Sequence, residues 1–464
     1  MAPITQPRLV LKLGSFDGQH SPYSLSSFPS ASTFVINVDG EETSVSEAAT
    51  SGLESIEFDV ADAMNSRIAV IACNNRGAFG QGSFTLDSPH LAVYGEQKPL
   101  SGIYKCTLMN AKLEVIGSVT CEAVVVTPYA RRFAGKGKPW NFTTPQVIGH
   151  RGTGAQRQFV NGGQRLQLGE NTVLSLTMGG ELGAIAVEFD VQVTKDNVPV
   201  IYHDFFYSEL GPPLSISALT ASEFKSFRPP DRPADRSVQE LEQRRTLPFR
   251  RTRSLSDISP CKFTTPYIRK NGTGTIQSPF ASLKDVLTSV PAKVGFNIEI
   301  KYPLGPNEMD VRPAEVNMYV DRILDDVAEF GGERMIIFSS FHPEVARALK
   351  LKQDHYPVLF LTQGGTHTDK DLTDPRVISL DGALDYAKKV GLDGLVTHVP
   401  SILEDPSWVK KFKDAGLLVF TYGTGSNDVG TSLRQAEWGV DGIIVDHVKE
   451  IVMALKDKRK AMRN

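Results

Sequence analysis

Cysteine is scarce in this 464-residue chain: four residues, Cys73, Cys106, Cys121 and Cys261, stand far apart. They have neither the density of a disulfide scaffold nor the paired spacing of a zinc site, so a reducing, cytoplasmic setting is expected. Long apolar runs are missing too. Segments such as Ala184–Val193 are broken by Glu188 and Asp190, well short of the roughly 18 apolar residues needed to span a bilayer. Met1–Ser15 contains no apolar core of signal-peptide length, which argues against secretion. Charge of either sign is not in excess: 50 Lys and Arg against 53 Asp and Glu leave a formal net charge of -3. Such a chain has no overall attraction for nucleic acid or an anionic membrane, and any phosphate chemistry must come from a local cluster. What remains, 41% hydrophobic and 22% charged residues, is an ordinary globular composition long enough for two cores.

Two patterns divide the chain. Over 1–130, short β-branched runs (Leu9–Leu13, Thr33–Val38, Ser55–Val60, Ile68–Cys73, Val119–Thr127) are separated by Gly, Pro, Ser and Asp, which predicts an all-β, sandwich-like domain. Val119–Thr127 reads as a strand buried on both faces. No polar constellation in this half could carry chemistry, so an accessory or spacer role is expected. A linker over 131–145 holds Arg131, Arg132, Lys136 and Lys138 with glycines and prolines. From 146 to 464 strands alternate with helical stretches, the rhythm of a parallel α/β fold, here a (β/α)₈ TIM barrel. Helical spacing is clearest at Val316, Tyr319, Val320, Ile323, Leu324 and Val327.

Nine candidate strands are one too many for such a barrel. Lys195, Asp196 and Asn197 are too few for a parallel crossover, so Ala184–Thr194 and Val198–Asp204 should form a hairpin around Asp196 and Asn197. That register sets Asp190 opposite His203. An Arg- and Ser-rich stretch at about 228–275 fits no element and reads as an exposed insertion, a solvated loop in preference to a phosphorylation site or basic contact arm.

Reactive groups of a parallel barrel collect at the C-terminal ends of its strands. Here the strands end in His150-Arg151-Gly152, Glu188-Phe189-Asp190, His203-Asp204 and Glu299-Ile300-Lys301. Glu188 and Asp190, two apart, project from one face, and Glu299 and Lys301 repeat the alternation. Carboxylates gathered at one mouth repel unless a divalent cation lies between them, and hard oxygen ligands suit Mg²⁺ or Ca²⁺ better than zinc. One such pair could equally be the exposed edge of a half-buried strand; four strands ending alike weigh against that. His150 and His203 are candidates for general acid and base. Arg151 and Lys301 are candidates for phosphate binding, and Glu170, beside a helix start at Asn171, for orienting Arg151. His342, His355, His367, His398 and His447 have no comparable company and read as ordinary.

These residues and their order resemble the glycerophosphodiester phosphodiesterase family: His150-Arg151-Gly152, Glu170-Asn171-Thr172, Glu188-Phe189-Asp190, Thr194-Lys195-Asp196, His203-Asp204 and Glu299-Ile300-Lys301. The resemblance covers about 146–452. It implies a barrel, a metal held by Glu188, Asp190 and Glu299, acid-base work by His150 and His203, a phosphate contact from Arg151, and release of glycerol 3-phosphate. Gly14-Ser15-Phe16-Asp17, Val115-Ile116-Gly117, the long loop before Glu170 and Tyr422-Gly423-Thr424 resemble more closely the C-terminal part of fungal glycerophosphocholine phosphodiesterases, which carry SPX and ankyrin-repeat regions ahead of a similar β-rich segment.

The expected function is metal-dependent hydrolysis of a glycerophosphodiester, with glycerophosphocholine the leading substrate, and with no role for nucleic acid. Two alternatives keep the same site: a phosphodiesterase acting on lysophospholipids, for which Phe205, Phe206, Tyr207 and Phe341 would form an apolar rim, and a non-catalytic module that binds phosphodiesters.

Overall fold

A computed structural model describes residues 2–14, 23–25, 33–46, 55–62, 66–86, 91–92, 101–133, 140, 145–154, 168–207, 213–227, 279–304, 308, 311, 313–366 and 372–463. The Arg- and Ser-rich stretch therefore lies outside the described residues, as does most of the loop before Glu170 and of the linker.

The N-terminal region is one antiparallel sheet of ten strands: β1 (Arg8–Leu13), β2 (Tyr23–Leu25), β3 (Thr33–Val38), β4 (Glu41–Ser46), β5 (Ile56–Asp59), β6 (Arg67–Asn74), β7 (Gly77–Thr85), β8 (Leu91–Ala92), β9 (Ser101–Met109) and β10 (Val115–Val126). The main order is β4-β3-β6-β7-β9-β10-β1-β5, with β2 on β10 and β8 on β9. Phe34 and Ile36 from one end share a buried cluster with Leu9, Leu11 and Phe58 from the other. The sheet thus curls until its inner face closes on itself, which gives the sandwich-like core from a single sheet.

The expected double burial of Val119–Thr127 holds only for Ala123–Val126; before it, partly exposed Thr120 and Glu122 alternate with buried Val119 and Cys121 because their polar side chains keep one face toward water. Ala123 and Val125 face the sheet's own core. Val124 and Val126, with Val10, join the core that surrounds the barrel strands. Polar contacts fix this seam: Asn317 donates to the Val125 carbonyl at 2.8 Å and accepts the Thr127 N–H at 2.8 Å. Lys352 donates to the Thr127 carbonyl at 2.7 Å, and Arg347 to Glu57 at 3.0 Å.

The second region is a closed parallel barrel. Its strands are β11 (Gln146–Gly149), β12 (Ala186–Val193), β16 (Gly295–Ile300), β17 (Ile336–Ser340), β18 (Val358–Thr362), β19 (Gly394–His398), β20 (Leu418–Tyr422) and β21 (Gly442–Val445). β11 pairs with both β12 and β21, closing the ring. Between β12 and β16 lie β13 (Pro199–Ile201) and the small pair β14 (Phe206–Tyr207) and β15 (Leu214–Ser215). Alternate residues face inward: Ile148, Ala186, Ile337, Leu359, Val396, Phe420 and Ile444 fill the interior and make it a packed core. Trp140 packs against that core and donates to the Ile336 carbonyl at 3.1 Å. Outward residues such as Val187, Phe189 and Ile298 pack on the helices. The helix Val316–Phe330 buries Tyr319, Val320, Ile323, Leu324 and Val327, the stripe its spacing predicts. Short helices at Pro375–Ile378 and Val399–Glu404 were not expected. Among the described residues no helix is long and apolar enough to cross a membrane.

The spare strand is a hairpin arm, since β13 runs antiparallel to β12, but its register differs from expectation. Val193 pairs with Pro199 and Val191 with Ile201, so Asp190 lies opposite Tyr202, whose N–H it accepts at 3.1 Å, and not opposite His203. The turn is three residues long. Thr194 N–H closes it onto the Val198 carbonyl at 3.1 Å, and Asn197 takes the left-handed conformation (φ 61°) that such a turn requires.

Replacing Asn317 by Ala strips the buried Val125 carbonyl and Thr127 N–H of their partners. The expected loss is about 2–4 kcal/mol, read as a lower denaturant midpoint; an unchanged midpoint would show that the seam does not depend on it.

Candidate active site

β12 and β16 run parallel with Asp190 beside Glu299 and Glu188 beside Asn297. All four share the inward parity. Glu188, Asp190 and Glu299 each offer a carboxylate oxygen, and these oxygens lie within 4.8 Å of one another. Glu188 and Asp190 are 3% and 1% exposed, so water cannot screen their repulsion.

The two respond in opposite directions. Burial and the charge of Asp190 push Glu188 up to about 8, against the pull of His150. Burial would also raise Asp190, but His203, Arg151, Lys301 and a hydrogen bond from Asn171 outweigh it and hold Asp190 well below the usual carboxylate range. Asn171 donates to Asp190 Oδ2 at 2.9 Å. Glu188 Oε2 accepts the Arg151 backbone N–H at 3.0 Å, while its buried Oε1 has no hydrogen-bond partner among the described residues.

The cations come from strand ends. Arg151 donates to Glu170 at 2.8 Å and places Nε 3.5 Å from Asp190. Its backbone is left-handed (φ 47°), as is that of Asn171 (φ 55°), two strained residues joined by the Asn171 N–H to Arg151 carbonyl bond of 3.2 Å. Such strain, of order 1–3 kcal/mol each, persists only where surrounding contacts impose it. A Cβ at Gly152 would lie 2.4 Å from the Ser175 backbone, so only glycine lets the turn lie against the following helix. That helix, Val173–Glu181, is capped by Thr172, whose hydroxyl accepts the Ser175 N–H. The expected cap, Asn171, instead spends its side chain on Asp190. Lys301 lies 3.3 Å from Glu299 and 4.0 Å from Asp190; burial opposes its charge, but the two carboxylates raise its pKa.

Each imidazole is tethered at Nδ1. His150 Nδ1 is 2.8 Å from Asp446 Oδ1, with Nε2 3.9 Å from Glu188. Asp446 is itself held by Asn427, which donates to Oδ2 at 2.6 Å and accepts the Asp446 N–H at 2.7 Å. Burial disfavours the His150 cation, yet Asp446 and Glu188 raise its pKa. His203 Nδ1 is 2.7 Å from Asp204 Oδ1. Gln192, the next inward residue of β12, steadies that segment by donating to the Tyr202 and Asp204 carbonyls at 2.8 and 2.9 Å. A carboxylate on Nδ1 orients a ring and frees Nε2 for a substrate.

The residues expected from strand ends, His150, Arg151, Glu188, Asp190, His203, Glu299 and Lys301, therefore lie around one opening, and Glu170, expected beside a helix start, reaches it through Arg151. Asp446 was missed although it ends the apolar run of β21 as Asp190 interrupts β12. Nothing local pointed to Asn427.

A barrel with this constellation at its mouth defines a class. The chain belongs to the glycerophosphoryl diester phosphodiesterase family of enzymes, whose family model matches residues 150–450. Within it, the chain is similar to glycerophosphocholine phosphodiesterase gde1 of Schizosaccharomyces pombe, 39% identical over 334 residues, covering 68% of this chain and 29% of that protein. Glycerophosphocholine phosphodiesterase GPCPD1 of Homo sapiens is 31% identical over 370 residues, 77% of this chain and 52% of that protein. The chain spans about a third of the length of the fungal relatives it matches. A crystal structure of a glycerophosphodiester phosphodiesterase from Parabacteroides distasonis overlaps with a TM-score of 0.45 at 19% identity, covering 68% of this chain and 98% of that one.

Replacing Asp446 by Asn removes the charge that favours the His150 cation. The His150 pKa should fall, read from its imidazole shift against pH; an unaltered titration would refute the coupling.

Proposed function

We propose that the chain hydrolyses glycerophosphodiesters to glycerol 3-phosphate and an alcohol, with glycerophosphocholine the leading substrate, and that it does so in the cytoplasm with a bound divalent cation. The observation that carries this reading is the convergence of three carboxylates, two carboxylate-tethered imidazoles and two cations on one opening. The names of the fungal and mammalian relatives support glycerophosphocholine.

Glu188, Asp190 and Glu299 would hold the cation. Three hard oxygen donors suit Mg²⁺ or Ca²⁺, and the buried, uncommitted Oε1 of Glu188 is a lone pair in want of a positive partner. A divalent ion held there would supply positive charge to stabilise the phosphate oxygens and would lower the pKa of a nearby hydroxyl. Arg151 and Lys301 add fixed positive charge beside the phosphate. Glu170 and Asp190 hold Arg151 in place, so its guanidinium is oriented before substrate arrives.

The remaining work is proton transfer. One imidazole takes the proton of the attacking hydroxyl as its oxygen bonds to phosphorus; the other gives a proton to the alcohol oxygen as its bond to phosphorus breaks. Asp446 and Asp204 fix the ring orientation of His150 and His203 through both events.

Glu188→Ala and His203→Ala should each reduce turnover of glycerophosphocholine by about 100-fold or more, with glycerol 3-phosphate the measured product. A chelator should do the same to the wild type. Wild-type turnover in either variant would end this reading. Because burial and the charge of Asp190 raise the Glu188 pKa above the usual carboxylate range and ligation needs the carboxylate, cation affinity should fall as pH drops, with protons released on ion binding. Calorimetry in buffers of different ionisation enthalpy reads that release, and a binding heat independent of buffer would contradict it.

A further inference from the structure

The ring of inward-facing residues at the mouth has two unlike halves. β11, β12, β16 and β21 contribute the charged groups described above. β17 to β20 contribute none: their inward positions are Ile337, Ser339, Leu359, Leu361, Val396, Leu418 and Phe420, ending at Phe341, His398 and Tyr422. Those last three are only partly buried.

They form one aromatic group. Tyr422 is the centre: Phe341 meets it edge-on at 5.8 Å and 86°, and His398 lies 5.2 Å away at 34°. The Tyr422 hydroxyl donates to the Thr362 carbonyl at 3.3 Å, which fixes the ring. Burial raises its pKa and the charge of Glu299 adds to that, so the phenol lies within electrostatic reach of the carboxylate cluster. Gly423 lets the imidazole lie flush, since a Cβ there would fall 2.6 Å from His398 Cδ2.

We propose that Phe341, His398 and Tyr422 form the binding site for the head alcohol of the substrate and that they select a quaternary ammonium. The inference rests on the hydrolytic reading above and names what its substrate presents to this half of the mouth. A trimethylammonium has no N–H to donate, so hydrogen-bonding side chains recognise it poorly. It is held by aromatic faces, whose negative quadrupole attracts a diffuse cation. Among the described residues the three rings provide that surface, within electrostatic reach of Glu299. The glycerol hydroxyls, which need donors and acceptors, are left to the polar half. His398 fits this role as a neutral ring: burial lowers its pKa, against a hydrogen-bond contribution from Thr366, whose hydroxyl lies 2.9 Å from Nδ1.

The test compares kcat/KM on glycerophosphocholine, glycerophosphoethanolamine and glycerophosphoglycerol. In Tyr422→Leu the preference for glycerophosphocholine over glycerophosphoglycerol should fall about tenfold or more, whereas Tyr422→Phe, which keeps the ring and loses only the hydroxyl, should retain it. Parallel losses on all three substrates in Tyr422→Leu would overturn the proposal. A second arm needs no variant: choline should inhibit the wild type at least about tenfold more strongly than its uncharged carbon isostere dimethylbutanol, and equal inhibition would also overturn it. Failure of the wild type to hydrolyse any of the three esters would remove the hydrolytic reading and this one together, an outcome distinct from turnover without the preference.

Discussion

Carboxylates forced together out of water are the constraint on which the mouth of this barrel depends. Two unit charges about 5 Å apart repel by about 3 kcal/mol at the effective dielectric of a protein site, and Glu188, Asp190 and Glu299 lie within 4.8 Å of one another. Strand parity makes this unavoidable. Residues two apart on β12 must share a face, and the parallel register of β12 and β16 puts Glu299 beside Asp190. Everything near them answers that repulsion. Arg151 and Asn171 adopt left-handed backbones that bring an N–H to Glu188 and an amide to Asp190; Lys301 rises beside both acids of its side. Strain in two residues is sustained because the charges it offsets would cost more.

The N-terminal sheet serves a different need. A strand with alternating polarity can leave one face in water, but Ala123–Val126 is apolar throughout and must be covered twice. Its second cover is the helical shell of the barrel, reached through Val124 and Val126. Buried polar groups then make the seam specific. Asn317 matches one donor and one acceptor at the end of β10, and Arg347, 1% exposed, lies between Glu57 of the sheet and Glu344 of its own helix. Such groups are costly when misaligned, so only one docking of sheet on barrel satisfies them all.

Features governed by local period were legible in the sequence. The barrel strands, most of the helices and seven of the eight expected site residues follow from inward parity and from polar residues ending apolar runs; Glu170 followed from its place beside a helix start. What escaped depends on contacts between distant segments. The double burial at the end of β10 was visible, but not that a barrel supplies its second face. The hairpin turn was visible, but its length was misjudged: Lys195 joins Asp196 and Asn197 as a third turn residue, which slips the register by one. Asn171 looked like a cap because its type and position suit one; its side chain is claimed by Asp190, a residue met only once the barrel closes. Asp446 carried a local signal of the same kind as Asp190. Asn427, which holds it, carried none.

The packed interior explains why so charged a mouth is compatible with a stable fold. Below it, Ile148, Ile337, Leu359, Val396, Phe420 and Ile444 fill the barrel without a polar atom in their side chains, and the outward positions bind the strands to the helices. The apolar layers fix strand register, and register in turn fixes where each terminal residue points. A charge placed one residue earlier on β12, at Val187 or Phe189, would enter the hydrophobic layer under the helices; at Glu188 and Asp190 it reaches the opening. The reactive groups are therefore gathered at the C-terminal inward positions of the strands and in the residues immediately after them, above the apolar layers. Side chains there inherit the rigidity of the sheet while remaining accessible, the combination that positioning two imidazoles against three carboxylates requires.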